Sequence, residues 1–334
     1  MIRQPIDDTE LLERLSGREA DGLDIFTLGE AEGPAGGEAR GAIVSAGRLV
    51  NEMRANHGLG ILETLILGQS YVAALLMASN LKGRDSISIR IDCAGPAKGL
   101  LVEGRNHPVA ESDGREPKLS VRGYLFEERL PLERPLDSFD TAPFLGSGSL
   151  TVTRFSEGSP RPFSGAVPLR SGRLAEDIAA YYLESEQTRT ALALSLQFDP
   201  KGRVVGAGGL YVQALPGARP GFIGRVEAAL LGTGSLGKRL AEGATRSSIL
   251  ASSFGPGDSM GLILRETRAV AFDCDCSRKR FSAFLAASKP EFLAELATKG
   301  PWPVEMVCHN CGSTYAFSKE EILRLMREKK AGSD

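Results

Sequence analysis

The sequence predicts an α+β protein with an N-terminal core of antiparallel sheets with packed helices, a helical linker and a small C-terminal zinc-binding module. Three observations predict it. Residues 61–81 carry a wide apolar face (Leu62, Leu65, Ile66, Val72, Ala73, Leu76, Met77) and lead through Lys82-Gly83 into the alternating Ile87, Ile89 and Ile91, a helix followed by a half-buried strand. Residues 219–272 are rich in Gly, Ala and Ser, and their helical patterns have only modest apolar faces. Four of the five cysteines fall in two short clusters, Cys274-Asp275-Cys276 and Cys308-His309-Asn310-Cys311.

Length and composition bound the rest. A chain of 334 residues suggests two domains, or one with a sizeable appendage. At 42% hydrophobic and 25% charged it reads as an ordinary globular protein. A net charge of −2 supplies no general attraction to nucleic acid or to an anionic membrane, so neither is expected as a partner. No apolar run approaches the roughly 20 residues that span a bilayer. The stretch Met1-Ile2-Arg3-Gln4-Pro5-Ile6 has neither the basic flank nor the apolar core of a signal peptide. Paired reduced cysteines without an export signal lead us to expect a cytoplasmic protein.

Along the chain, Glu10–Leu15 reads as a short helix within a first forty residues of loose pattern, and Gly29–Gly37 as a loop. Ala39–Val44 opens a regular segment, residues 48–57 a helix broken by Gly58 and Gly60, and 61–81 the strongest helix of this part. A strand over Ile87–Ile91 turns at Gly95-Pro96 into another from Gly99 to Glu103; Cys93, at the end of the first, reads as a packing residue. Residues 104–118 and 127–148 are polar and rich in Pro and Gly, and read as surface loops around a short strand at Leu119–Leu125. Strands follow at 150–155, 191–199 and 204–213, with a helix over 173–184. Ser185-Glu186-Gln187 reads as a helix end rather than a catalytic group. The boundary at Pro216–Pro220 precedes an amphipathic helix marked by Phe222, Val226, Ala229 and Leu230. Gly232-Thr233-Gly234-Ser235-Leu236-Gly237 spells a dinucleotide fingerprint, but a helical pattern precedes it where a strand is required, so it reads as a connection between helices.

The last segment has the logic of a small metal-stapled fold. Ser288 with Glu291, and Ser318 with Glu321, read as capping boxes. Phe292, Leu293 and Leu296 give the first helix an apolar side, and Gly300-Pro301 stops it. Val304–Val307 and Tyr315–Phe317 pair as strands around the second cysteine cluster, and Ile322, Leu323, Leu325 and Met326 pack the last helix inward. Trp302 reads as a packing residue. So thin a core is marginal without a staple. Cys274, Cys276, Cys308 and Cys311 therefore read as four ligands of one Zn²⁺, which suits soft thiolates in a tetrahedron. His309 is left out because four sulfurs already complete the set. Lys279 and Arg280 read as solvated, with charge that can favour nearby thiolates. On spacing alone, a closed structural zinc site and a redox switch both stand, since zinc keeps thiols in their oxidisable form.

The octet Asp273–Arg280, the later Val307-Cys308-His309-Asn310-Cys311-Gly312 and Tyr315-Ala316-Phe317 resemble the C-terminal zinc module of the heat shock protein 33 family, the redox-regulated 33 kDa chaperonins. The resemblance extends to Leu67-Gly68-Gln69, Tyr182–Gln187 and Ala207–Ala218, and spans roughly residues 24 to 326. It implies three parts: a core chaperone domain over 1–218, a helical switch linker over 219–272 and a zinc-binding redox-switch domain over 273–330. It implies an ATP-independent holdase rather than an enzyme. It also implies disulfides Cys274–Cys276 and Cys308–Cys311 on oxidation, zinc release, capture of unfolding client proteins and a homodimer in the active state. Two other readings carry the same cysteines. One is a zinc-ribbon nucleic-acid-binding protein, disfavoured by the acidic balance. The other is a thiol–disulfide oxidoreductase using Cys308-His309-Asn310-Cys311, disfavoured because no helix follows that motif directly.

Overall fold

One ten-stranded sheet organises the chain. The computed structural model describes residues 1–30, 37–108, 118–131, 138–255 and 260–331. In chain order these form α1 (Thr9–Ser16), β1 (Gly22–Leu28), β2 (Ala39–Ser45), α2 (Gly47–His57), α3 (Ile61–Ala78), β3 (Ser86–Cys93), β4 (Gly99–His107), β5 (Lys118–Leu125) and α4 (Ala142–Leu145). They continue with β6 (Gly148–Phe155), β7 (Phe163–Pro168), α5 (Leu174–Ser185), β8 (Thr190–Phe198), β9 (Val204–Ala214), α6 (Pro220–Gly232), α7 (Leu236–Ala241), α8 (Arg246–Phe254) and β10 (Ile263–Phe272). The last segment adds α9 (Arg278–Ala287), α10 (Pro290–Lys299), β11 (Val304–Val307), β12 (Thr314–Phe317) and α11 (Lys319–Ala331). The fold is α+β, as expected.

The large sheet runs β7-β6-β3-β4-β5-β10-β1-β2-β9-β8, and β11 and β12 make a separate hairpin. Every neighbouring pair is antiparallel except β10 and β5, which run parallel where Ala269–Phe272 meets Lys118–Val121. The apolar face expected over 61–81 is α3, which packs on β3, β4, β5, β8 and β9. The helix is long and apolar enough to cross a membrane by composition, and it is buried within the fold. Its Tyr71 hydroxyl donates to the Gly123 carbonyl of β5 (2.8 Å), so the one polar atom of that ring is satisfied inside the core.

The two sides of β9 face different layers. Ala207 and Tyr211 join the main core with α3, whereas Leu210 and Val212 meet Phe222, Ile223, Val226 and Leu230 of α6 and Ile249, Leu250 and Phe254 of α8. A strand covered on both faces has no polar side to alternate with, which explains the unbroken run Val204–Val212. Helix α7 reaches the neighbouring strand β8 by backbone contact. A Cβ on Gly237 would lie 2.9 Å from the Gln197 amide nitrogen, so the glycine of the rejected dinucleotide pattern serves close helix–strand packing. Arg246 of α8 is itself buried. It pairs with Asp24 of β1 (3.0 Å) and donates to Ser45 Oγ (2.7 Å) and the Ala20 carbonyl (2.9 Å). Losing one partner of such a buried pair costs about 3–5 kcal/mol.

Before the C-terminal module, the structure departs from the sequence expectations at four places. Gly22–Leu28 is a strand where the pattern reads as loose; it is held by β2 and β10 on either side rather than by alternation of its own. Strand β4 continues to His107, into a stretch expected as loop, because β5 pairs it to its end. The other expected loop contains α4, whose Phe144 and Leu145 are buried. Segment 219–272 is not helical throughout. It holds α6, α7 and α8, then β10, whose mixed charged and apolar sequence acquires strand structure from two ready neighbours. The loop expected at 29–37 falls mostly on residues 31–36, and parts of the other two on 109–117 and 132–137, which lie outside the described residues.

Helix α2 starts at an alanine cap that has no side-chain acceptor, and Asp21, just before β1, supplies one by accepting the Leu49 N–H (2.7 Å). Burial pushes the Asp21 carboxyl up, to about 6. A carboxyl raised in the folded state stabilises the fold most below its unfolded value near 4, and that contribution is lost as pH climbs through about 6. Asp21→Asn keeps an acceptor without the charge. We expect it to raise stability at pH 7 by on the order of 1 kcal/mol and to flatten the slope between pH 4 and 6, read by urea unfolding across that range.

Candidate metal centre

The four sequence-predicted cysteines converge. Cys274 and Cys276 lie in the extended stretch between the end of β10 and α9, whose N-cap Ser277 accepts the Arg280 N–H (3.2 Å). Cys308 and Cys311 sit on the turn joining β11 to β12. That turn closes by backbone bonds: Cys308 N–H donates to the Ser313 carbonyl (2.9 Å), and the Cys311 and Gly312 N–H groups donate to the Cys308 carbonyl (3.1 and 2.8 Å). Gly312 takes a positive φ of 67°, the left-handed conformation glycine adopts without steric cost.

All four sulfurs are buried and lie within 4.8 Å of one another, an arrangement that could hold one metal ion. Cys276 to Cys311 (3.4 Å) and Cys274 to Cys308 (3.9 Å) are close contacts across the two clusters. A tetrahedron with metal–sulfur bonds of about 2.3 Å has edges near 3.8 Å, so the donor set fits such an ion. All four cysteines are free thiols. Cys93 is not among them; it is half-buried at the end of β3, and burial raises its thiol.

Protons and cations around the cluster share one electrostatic logic. Hydrogen bonds from Cys308 and Cys311 hold the Cys274 thiol well below the ordinary range, with help from Arg122, whose Nη1 lies 3.6 Å from the sulfur. The donors are shifted oppositely: its bond to Cys274 raises Cys308, and the same partner pushes Cys311 up to about 11. The sulfurs thus share one hydrogen-bonded cluster, in which a bound cation would take the place of the protons. Tyr315 Oη lies 3.2 Å from Cys276 Sγ and donates to the Cys276 carbonyl (3.2 Å). Asp275, between the first two cysteines, is ringed by Arg122, Arg105 (3.5 Å) and Arg280 (2.8 Å). Burial alone would raise its carboxyl, but these charges hold it below the usual range. Arg122 also pairs with Glu103 of β4 (2.8 Å), which ties the first cysteine cluster to the large sheet.

Arg122 and Tyr315 are site residues that sequence reading did not single out. An arginine on a strand with Val121 on one side and Gly123 on the other carries no local sign of a sulfur partner. Arg280, expected to be solvated, is exposed and ion-paired. His309 is also exposed and lies beside the Tyr124 ring (5.4 Å).

The capping box expected at Ser318 and Glu321 forms. Ser318 N–H donates to the Glu321 carboxylate (2.8 Å), and Glu321 N–H donates to Ser318 Oγ (3.3 Å). The box expected at Ser288 and Glu291 does not. Lys289 is the N-cap of α10, Pro290 opens the helix with no N–H to satisfy, and the Ser288 hydroxyl instead donates back to the Phe284 carbonyl (3.1 Å). Leu293 and Ile322 are fully buried and Leu325 is buried, but Phe292 and Leu323 point outward, since α10 and α11 pack through narrow stripes. Trp302 is partly exposed, with the Lys319 ammonium 4.2 Å from its ring. The Cys308–Cys311 pair lies in a hairpin turn, not at the start of a helix as in thioredoxin-like sites.

Fold and centre together define an α+β protein that carries a tetrathiol module at its C-terminal end. The family model described as Hsp33 protein matches residues 34–318, both cysteine pairs included. The 33 kDa chaperonin of Desulforamulus reducens is 34% identical over 83% of this chain and 90% of its own length. That of a Thermus thermophilus strain is 35% identical over 88% and 84%. The crystal structure of the 33 kDa chaperonin (heat shock protein 33 homolog) from Thermotoga maritima superposes with a TM-score of 0.76 at 28% identity, covering 92% of this chain and 99% of that one. The chain belongs to the Hsp33 family of 33 kDa chaperonins.

Removing the formed cap gives a local test of the module. Ser318→Ala is expected to destabilise the C-terminal module by about 1 kcal/mol, seen as faster amide exchange over α11 with β8 and β9 unchanged.

Proposed function

We propose that the protein is a redox-regulated holdase: reduced, it is closed around a zinc ion; oxidised, it opens and binds unfolding proteins without ATP. The observation that carries the reading is the buried set of Cys274, Cys276, Cys308 and Cys311, with sulfurs within 4.8 Å of one another, assembled just past the end of β10, the strand that leaves the linker helices and enters the sheet. Bound Zn²⁺ would keep all four sulfurs as thiolates and contribute folding free energy to a module with a thin core.

The sulfurs do the switching. A cleft of about 270 Å³ lined by Arg122, Arg280, Phe281, Phe284 and Met306 opens onto Cys274, Cys276 and Cys308 and gives a small oxidant access. A thiolate attacks one oxygen of hydrogen peroxide, breaks the O–O bond and expels hydroxide, leaving a sulfenic acid. A second thiolate attacks that sulfur and expels a second hydroxide. Two thiolates thus lose two electrons and one peroxide gains them. We assign the products as Cys274–Cys276 and Cys308–Cys311. Cross-cluster sulfurs are in contact in the folded state, but only partners within a cluster stay together once the module loosens.

Opening then reaches the linker. Helices α6 to α8 seat Phe222, Val226, Leu230, Ile249, Leu250 and Phe254 against Phe26, Ile43, Leu210 and Val212 of the sheet. Each such side chain is worth about 1.5–3 kcal/mol when fully buried. Their release would bare a continuous apolar face, the kind of surface that captures unfolded chains. On this reading residues 1–218 with β10 form the client-binding body, 219–262 the moving cover and 273–330 the switch. The active state is a homodimer, and the protein works in the cytoplasm.

Reduced protein should carry one zinc per chain and leave a heat-denaturing client to aggregate. Peroxide with mild heat should release that zinc to a chromogenic chelator and suppress light scattering. Zinc release without protection would sink the holdase reading, and peptide maps showing cross-cluster disulfides would sink the assigned pairing.

A further inference from the structure

The second cysteine pair is gripped by the core as well as by its own module. The Cys308–Gly312 turn lies against the C-terminal end of α2 and against β5. Asn56 of α2 is buried, and its side-chain amide donates to the Cys311 carbonyl (2.7 Å) and to the Ile2 carbonyl (2.9 Å), while its Oδ1 accepts the Gln4 N–H (2.9 Å). Both amide hydrogens are therefore committed. Ile2 completes the bracket: its N–H donates to Ser313 Oγ (3.0 Å), and the Ser313 hydroxyl donates back to its carbonyl (2.9 Å). The Gly123 N–H of β5 donates to the Asn310 carbonyl (3.0 Å). A Cβ on Gly312 would collide with the Asn56 carbonyl oxygen, so the turn and the helix end meet backbone to backbone. Residues 2–4 lie outside the stretch that the family model matches.

We propose that Asn56 is a positioning residue for the second cysteine pair, through which helix α2 holds the Cys308–Cys311 turn in a contact that works in parallel with the linker. This deepens the redox-switch reading and rests on it for one consequence. When the turn reshapes to form its disulfide, the Asn56 and Gly123 donors lose their acceptors, and buried donors without partners disfavour re-docking. Oxidation then acts on the core directly. The docked contact itself belongs to the reduced state and can be tested without any oxidant.

The test is amide hydrogen exchange of the reduced, full-length protein over residues 308–313, with the midpoint potential of the thiol–disulfide couple as second readout. Asn56→Ala should speed exchange in that turn by at least about fivefold and shift the potential to more negative values, because the reduced state loses support. Asn51→Ala is the control. It lies on the same helix and bonds to the Gly47 and Val204 carbonyls (both 2.8 Å), away from the turn. It should leave both readouts at the parent values. Should Asn56→Ala fail to fold, Ser313→Ala opens the same bracket from the other side and should move exchange in the same direction. Unchanged exchange in the variant that folds, or an equal change in Asn51→Ala, overturns the proposal. A parent protein that never releases zinc or never protects a client would defeat the holdase reading and leave the exchange result standing.

Discussion

The architecture depends on where β10 goes. Without it the large sheet would be two pieces, β7-β6-β3-β4-β5 and β1-β2-β9-β8, with unpaired edges facing each other. Strand β10 fills the gap, antiparallel to β1 on one side and parallel to β5 on the other. A parallel neighbour so far away in sequence makes this pairing non-local, and its contacts must offset the entropy of closing a long loop. The strand ends at Phe272, buried beside Tyr71 of α3, and two residues later comes Cys274. The thiol cluster therefore starts where the sheet is completed, and the state of the sulfurs and the closure of the sheet are mechanically adjacent.

Charge reinforces that adjacency. Arg122 lies on β5, next to the seam, and reaches Glu103 on β4, Asp275 and the Cys274 sulfur. A guanidinium can satisfy several acceptors at once in fixed geometry, which a lysine cannot. The Cys274 sulfur and a carboxylate are thus held against a strand of the core by one side chain. Across β10, at β1, Arg246 performs an analogous task for the linker helices, buried between Asp24, Ser45 and the Ala20 carbonyl. The segments proposed to move are therefore attached by a few buried polar contacts set among apolar ones. Such contacts are strong while intact and leave costly unpaired groups when one partner departs.

What was legible in the sequence was whatever a short stretch encodes by itself. The apolar run of 61–81, the alternation Ile87-Ile89-Ile91, the Ser318–Glu321 cap and the Cys-x-Cys and Cys-x-x-Cys pairs each carry their own period or spacing; each is present, the helix ending at Ala78 and buried all round rather than on one face. The second expected cap failed because Pro290 competes for the same helix start. Gly22–Leu28 and Ile263–Phe272 were not legible as strands: their pattern is weak and their stability comes from neighbours far away in the chain.

The sequence by itself determined that this is an α+β protein of the Hsp33 pattern with four thiols in two close pairs, because ligand spacing and helix or strand period are local properties. Only the tertiary structure decided that the two pairs meet within 4.8 Å, that Arg122 and Asn56 hold them from the core, and that a strand of the expected helical linker closes the sheet. The sulfur contacts span 34 and 35 positions, and those by which Arg122 and Asn56 hold the two pairs span 152 and 255. No window of sequence contains both partners, and their pairing is set by the packing of the whole chain.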